Sequence, residues 1–96
     1  MNTDIFHSFI STVINGLATA LCEGHDVEDE LLAIVKVLRT REDLRVQAIK
    51  ALFSSRNPDV RTAMFNLIML ESVSDRVLDA ASECMGRVLQ NAQSEG

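Results

Sequence analysis

Aromatic residues are scarce in this sequence: Trp and Tyr are absent, and Phe occurs only four times. The core must therefore be aliphatic, with Met and Ala filling the remaining space. Hydrophobic residues still make up 47% of the 96-residue chain, which is enough for one small domain. Because Ile, Leu, Val and Met are spread along the whole length, disorder is excluded as the general state of the chain.

Cysteine and basic residues are also few. A disulfide framework in so small a chain needs more than Cys22 and Cys84, and both fall on apolar faces of predicted helices, so we expect reduced core residues. Lys and Arg total 9 against 14 Asp and Glu, a formal charge of −5. Such a chain repels phosphate backbones, which disfavours nucleic-acid binding and favours a basic partner.

Charged residues are missing altogether between Ile5 and Cys22. A membrane span is apolar all round, and a signal peptide has basic residues ahead of it. This segment instead has an uncharged polar face, formed by Ser8, Ser11, Thr12, Asn15 and Thr19. We therefore expect a cytoplasmic protein without a membrane segment. The polar face is expected to be covered by close packing within the chain, by a second copy, or by a partner.

Apolar spacing predicts helices throughout and no strand. In the first helix, residues 4–22, adjacent apolar pairs recur four residues apart, which places them on one broad stripe. The stripe consists of Ile5, Phe6, Phe9, Ile10, Val13, Ile14, Leu17, Ala18 and Leu21. Gly24 is well placed to end this helix, since glycine readily adopts the left-handed conformation that follows many helices.

Four further helix starts are marked by residues that typically cap helices. The caps that we expect are Asp26 for the second helix, Thr40 for the third, Asn57 ahead of Pro58 for the fourth, and Ser72 or Ser74 for the fifth. The fifth helix is predicted to end near residue 91. Residues 93–96 are expected to fray.

The second and third helices are repeated in the fourth and fifth at an offset of 32 residues, which places Val35 on Leu67. The pattern predicts two helical hairpins of one design, residues 26–53 and 57–91, preceded by a capping helix at 4–22. The expected fold is thus all-α, a five-helix α-α superhelix.

Two segments resemble HEAT-type repeats, in which an acidic residue, Val-Arg and then Ala open a helix. Asp59-Val60-Arg61 fits that pattern, whereas Leu44-Arg45-Val46 reverses the dipeptide, and 32 residues is shorter than the usual repeat. The segment 73–86 is similar to the final helix of small HEAT-like bacterial immunity proteins of the contact-dependent growth inhibition type. That resemblance implies a bacterial protein that neutralises a toxin by binding it.

Residues with catalytic chemistry are sparse. His7 and His25 form no helical pair with another ligand type, and there is no phosphate-binding glycine loop, zincin helix or nucleophile elbow. Cys22, Glu23, His25 and Asp26 crowd one helix end but fall short of a closed four-ligand zinc set. We expect no enzymatic activity, no metal and no cofactor.

Acidic residues supply the candidate binding site. Asp75, Asp79 and Glu83 stack along one face of the fifth helix, where like charges repel and the helix dipole favours only Asp75. The row is either a solvated face or a ridge that binds a partner. As a ridge it would dock on a basic, nuclease-type toxin. The candidate residues are Asp75, Asp79 and Glu83, with Glu71, Glu28, Asp29 and Glu30 behind them.

Most basic residues fall in one window, namely Lys36, Arg39, Arg41, Arg45, Lys50, Arg56 and Arg61. Without interleaved Tyr or Trp for base stacking, we expect these side chains to pair within the chain. Two other functions stay open. One is a small adaptor that homodimerises through the first helix, and the less favoured one is a nucleic-acid-binding regulator that uses the basic window.

Overall fold

Five α-helices and a short 3₁₀ turn follow one another along the described part of the chain. A computed structural model describes the backbone of residues 3–94 and the side chains from Ile5 onward. The elements are α1 (Thr3–Cys22), α2 (Glu28–Val37), α3 (Glu42–Ala51), the 3₁₀ turn (Leu52–Ser54), α4 (Pro58–Leu70) and α5 (Asp75–Gln93). No strand occurs within the described range, which confirms the all-α prediction.

Three of the predicted helix signals are confirmed. Gly24, two residues beyond the end of α1, has φ 95°, a conformation that residues with a Cβ rarely adopt. The Asn57 side chain accepts a hydrogen bond from the Asp59 amide at 2.9 Å, which caps α4. Of the two candidate serines, Ser74 caps α5 and accepts from the Val77 amide at 3.4 Å.

Asp26 and Thr40, in contrast, do not cap their helices. The residues at the N-caps of α2 and α3 are Val27 and Arg41, and neither side chain makes a capping hydrogen bond. The reason for α3 is the turn before it. The Arg41 amide donates to the Leu38 carbonyl at 3.1 Å, so Thr40 lies inside that turn and the helix begins later.

The C-terminal end of α5 also differs from the prediction. The helix continues to Gln93, the first residue of the segment that was expected to fray. Ser94 follows as the C-cap, and its amide donates to the Gln90 carbonyl at 2.9 Å. Residues 95 and 96 lie outside the described residues.

The helices form two layers, with α1, α3 and α5 side by side in one and α2 and α4 in the other. The offset of 32 residues is obeyed, since it places α2 on α4 and α3 on α5. α3 is the central element and packs against α1, α2 and α5. Arg76 binds Glu42 and Asp43 at the starts of α5 and α3, whereas Asn91 donates to the Phe53 carbonyl beyond α3. These two helices are therefore parallel.

The core between the layers is aliphatic, as the composition predicts. Its largest fully buried side chains are Ile14, Leu31, Leu44, Ile49, Leu52, Met64, Val60 and Val88. Cys84 is fully buried with them, as expected. Cys22 is not: its side chain is exposed, because α1 ends at the rim of the stack, where the thiol lies 3.6 Å from the Ser54 hydroxyl.

The apolar stripe of α1 is only partly used by the core. Ile14 and Leu21 are buried, whereas Ile5 and Phe9 are 68% and 65% exposed. This departs from the predicted core stripe because α1 is an edge helix, with α3 and α2 on one side and solvent on the other. By length and composition alone it is the one helix in the described range apolar enough to cross a membrane, with a mean hydropathy of 1.5 over Ile5–Cys22.

The polar face of α1 is partly covered by α3. The Ser11 hydroxyl donates to the Gln47 side-chain oxygen at 3.1 Å, and the Gln47 amide group donates to the Asn15 side chain at 3.0 Å. Thr12 and Thr19 donate to carbonyls of their own helix, at 2.9 and 3.1 Å. Of the three explanations for this face, packing within the chain therefore accounts for Ser11 and Asn15.

Candidate protein-binding site

The acidic row on α5 is exposed to solvent at Asp75, Asp79 and Glu83. The Glu83 carboxylate is partly neutralised, since it accepts from the Arg87 guanidinium one turn later at 2.8 Å. Within the described residues, Asp75 and Asp79 form no ion pair and no side-chain hydrogen bond. Two of the three predicted carboxylates are thus available to an external cation.

Glu71 is already engaged inside the chain. It follows α4 directly, and its carboxylate accepts from Arg45 at 3.0 Å and from Arg39 at 3.5 Å. Desolvation of the Glu71 carboxyl opposes its ionisation, but the two guanidinium groups outweigh this effect and hold its pKa below the ordinary value. We therefore remove Glu71 from the predicted binding surface.

Glu28 is removed for a similar reason. Its side chain is buried, and its carboxylate accepts a 2.8 Å hydrogen bond from the Ser55 hydroxyl, which in turn accepts from the Asn57 amide at 3.0 Å. The residue therefore connects the start of α2 to the segment before α4. A buried carboxylate held by a hydroxyl has a structural role that the acidic run 28–30 did not reveal.

Asp29 and Glu30 are exposed in the first turn of α2, yet they lie far from the α5 row. The Glu28 contact places the start of α2 beside Ser55, whose carbonyl also accepts from Asn91 near the end of α5. Asp75 lies at the start of α5, at the other end of the hairpin and in the other layer. The structure does not bring the two acidic sets together.

Several of the basic residues are engaged within the chain. Besides Arg39 and Arg45, which bind Glu71, Arg41 stacks its guanidinium 4.6 Å from the centre of the Phe6 ring. Arg76, outside the basic window, binds Asp43 at 2.7 Å, and this hydrogen bond and its charge lower the pKa of the Asp43 carboxyl. The cationic surface left for a phosphate backbone is correspondingly smaller.

Two surface cavities accompany these features. One, of about 640 Å³, lies between α2 and α4 and has an apolar floor that includes Leu32, Ala33 and Leu67. The other, of about 470 Å³, adjoins Cys22 and His25 at the end of α1. No group of three or more His, Cys, Asp or Glu side chains placed to hold a metal ion occurs in the described part of the chain.

Three exposed apolar residues lie on the side of the second hairpin that faces away from the first hairpin. Phe65 on α4 is 51% exposed, and Leu78 and Leu89 on α5 are 37% and 41% exposed. On α5, Leu78 and Leu89 are separated by three helical turns and share one flank, next to the flank that carries Asp75 and Asp79. We call these five residues, Phe65, Leu78, Leu89, Asp75 and Asp79, the end face.

The internal repeat explains why the end face is exposed. An offset of 32 residues relates Leu78 to Val46 and Phe65 to Ala33. Val46 is only 6% exposed, and Ala33 lines the cavity between α2 and α4, so both belong to the side of the first hairpin that meets the second. Leu78 and Phe65 therefore point out of the side of the second hairpin on which a further hairpin would stack.

No family model matches this chain, and neither does a curated protein or a solved structure.

The end face was only half found from the sequence. The four-residue spacing predicts the acidic residues, whereas no predicted site includes Phe65, Leu78 or Leu89. The missed signal lies in the repeat. Val46, which is buried in the first hairpin, has an apolar equivalent in Leu78, which is exposed in the second hairpin. An apolar residue at such a position indicates a partner.

Proposed function

We propose that this chain is a protein-binding module that docks on a basic partner protein through the end face, and that it acts as a toxin-neutralising immunity protein. One observation carries the proposal. Leu78 is 37% exposed, whereas its repeat equivalent in the first hairpin, Val46, is 6% exposed. Asp75 and Asp79, which form no ion pair within the described residues, lie on the flank next to Leu78.

The composition of the end face is that of a binding interface. Stable interfaces have an apolar centre, which supplies most of the affinity, and a polar rim. Phe65, Leu78 and Leu89 form the centre here, and Asp75 and Asp79 form one rim. A partner that presents an apolar side chain flanked by Lys or Arg would match both parts. The carboxylates would speed the encounter and reject acidic partners.

The toxin assignment is the finer part of the proposal. It is supported by the similarity of the segment 73–86 to the final helix of HEAT-like immunity proteins, and by the net charge of −5. A nuclease binds phosphates through a basic surface, and an acidic, apolar protein that covers this surface blocks the substrate from binding. In this role the chain acts in the bacterial cytoplasm and needs no catalytic residue, metal or cofactor.

The test begins with the neighbouring gene, which we expect to encode a large secreted toxin. Purified toxin domain is titrated with the chain at low and moderate salt, and its activity is measured in parallel. Replacement of Asp79 by Arg should weaken binding by about tenfold or more, with a smaller effect at high salt. The matched variant Glu30→Arg makes the same charge change in the early turns of α2 and should bind like the wild type.

Two results would contradict the proposal at different levels. Equal binding by the Asp79→Arg variant and the wild type would move the interface away from the end face. A neighbouring toxin that neither binds the chain nor loses activity in its presence would remove the immunity assignment. Thermal denaturation of both variants provides the control for folding, since Asp79 and Glu30 are exposed and make no ion pair in the described part of the chain.

A further inference from the structure

The solvent side of α1 carries large apolar side chains that the described part of the chain leaves exposed. Ile5 and Phe9 are 68% and 65% exposed. Helical spacing places both on the same side as Thr12, Gly16 and Ala20, opposite the side that Ile14 and Leu21 turn to the core. We call the residues Ile5, Phe9, Thr12, Gly16 and Ala20 the outer face of α1. Only 11% of the segment Ile5–Cys22 is buried within the chain.

Gly16 lies in the middle of this face, and the chain itself does not require a glycine there. A Cβ built at Gly16 meets no atom of the described residues within 4 Å, and Gly16 does not have a positive φ. Glycine destabilises a helix interior relative to alanine. A glycine at this exposed position in the middle of α1, next to the exposed Phe9, allows the backbone of another molecule to approach the helix closely.

The distribution of charge along the chain indicates which molecule binds the outer face of α1. The chain carries −5, so two copies repel each other wherever their acidic surfaces meet. The segment from Ile5 to Cys22 contains no charged residue, and it therefore offers a surface over which two copies can meet without opposing like charges directly. A basic partner would find no carboxylate on this face.

We propose that two copies of this chain associate through the outer faces of their α1 helices, antiparallel about a two-fold axis near residues 12 and 13. In this arrangement Phe9 of each copy packs over Gly16 of the other, and Ile5 packs over Ala20. Large side chains thus meet small ones at every contact on both sides of the axis. A two-fold dimer uses the same patch twice, as this pairing does.

The available area predicts a reversible dimer. α1 is about 30 Å long, and the exposed parts of Ile5 and Phe9 contribute on the order of 250 Å² per copy. With the smaller residues of the outer face, each copy stays well below the roughly 800 Å² per partner of a standard interface, in the range of weak, transient complexes. We expect a dissociation constant in the micromolar range.

The dimer is independent of the proposed function. α1 and α5 are the two edge helices of the layer formed by α1, α3 and α5, so association through the outer face of α1 leaves the end face of each copy open. If no dimer forms, the proposal of toxin binding is unaffected. If no toxin binds the end face, the proposal of a dimer through α1 is likewise unaffected.

Sedimentation over a concentration series tests the surface. Phe9→Glu should raise the dimer dissociation constant at least tenfold, whereas the matched Phe65→Glu, an exposed Phe on α4, should leave it unchanged. Both variants should melt near the wild-type temperature. A wild type that is monomeric at every concentration, or a dimer that is weakened by Phe65→Glu and not by Phe9→Glu, overturns the proposal.

Gly16→Leu separates a specific dimer from general apolar adhesion. The added side chain has open space in one copy but meets Phe9 of the other, so we expect dimerisation to weaken at least tenfold without a loss of melting temperature. If α1 instead binds a lipid surface or associates without a fixed register, the larger apolar area strengthens association. Stronger self-association of Gly16→Leu than of the wild type therefore overturns the proposal. The proposal is also overturned if Gly16→Leu binds vesicles more strongly than the wild type and neither protein forms a dimer.

Cysteine cross-linking tests the register. In a Cys22→Ser background, Thr12→Cys places two thiols about 1.5 Å apart along the helix axis, whereas Thr19→Cys places them about 20 Å apart. The two threonines are matched, since each is exposed and donates to the carbonyl four residues before it. Mild oxidation should link Thr12→Cys alone into dimers. Equal linking of both variants, or linking of Thr19→Cys only, overturns the register.

Discussion

Replacement of Glu71 by Gln tests how the two hairpins are held together. Arg45 on α3 is buried, with a side chain only 5% exposed, and its guanidinium donates to the Glu71 carboxylate at 3.0 Å and to the Val35 carbonyl at 2.9 Å. Glu71 follows α4 and so belongs to the second hairpin, whereas Arg45 and Val35 belong to the first. In the Glu71→Gln variant, the buried guanidinium of Arg45 no longer has a negative charge beside it. Only solvent at the rim of the site is left to stabilise this charge.

The expected loss follows from the geometry. Removal of one partner of a fully buried ion pair costs about 3–5 kcal/mol. The Glu71 side chain is 23% exposed, and Gln can still accept one hydrogen bond, so we expect a loss of about 2 kcal/mol in the free energy of unfolding. In a domain of this size, that loss lowers the melting temperature by roughly 8–16 °C.

Urea denaturation followed by circular dichroism measures this loss, with Arg39→Gln as the matched control. Arg39 also binds Glu71, but at 3.5 Å and with a side chain that is 65% exposed, so its removal should cost less than about 0.5 kcal/mol. If Glu71→Gln is no more destabilising than Arg39→Gln, the buried guanidinium does not depend on Glu71 and the reasoning is wrong.

The same pair makes a pH prediction. The Glu71 pKa is lowered in the folded chain, so its contribution to stability is fully present above the ordinary value of 4.5 and is lost as the pH falls through the lower folded value. The difference in stability between the wild type and Glu71→Gln should therefore shrink on acidification below pH 4.5. A difference that grows at low pH would refute the assigned direction.

Two further predictions concern the caps and the thiols. Asn57→Ala removes the side-chain acceptor that lies 2.9 Å from the Asp59 amide, and it should lower the free energy of unfolding by about 1 kcal/mol in thermal or urea denaturation. Ser74→Ala should cost less, because the hydrogen bond that Ser74 accepts is longer, at 3.4 Å. A larger loss for Ser74→Ala than for Asn57→Ala would contradict this ranking. A thiol reagent at pH 8 should modify Cys22 in the native protein and Cys84 only after unfolding, because burial raises the pKa of Cys84 to about 12; fast native modification of both thiols would refute the assignment.

Local signals in the sequence determine the helices and their order. The cap at Asn57 followed by Pro58, the glycine at position 24 and the apolar spacing each act within one helical turn, so neighbouring residues suffice to predict them. The 32-residue offset likewise predicts that α2 resembles α4 and α3 resembles α5. The layered all-α architecture follows from these local facts, because each amphipathic hairpin buries its apolar side against the next.

Which of the candidate residues a partner can reach was decided by tertiary contacts. Glu28 and Glu71 look like exposed carboxylates in the sequence. In the structure, Glu28 accepts a hydrogen bond from Ser55, which is 27 residues away in the chain, and Glu71 accepts one from Arg45, which is 26 residues away. Phe9 and Leu78 look like core residues, yet they are exposed because α1 and the second hairpin end the stack. Burial depends on which helix lies opposite, and helical periodicity specifies only that some apolar side exists. The acidic row on α5 thus acquires its apolar neighbours, and α1 its exposed side, only in the folded chain.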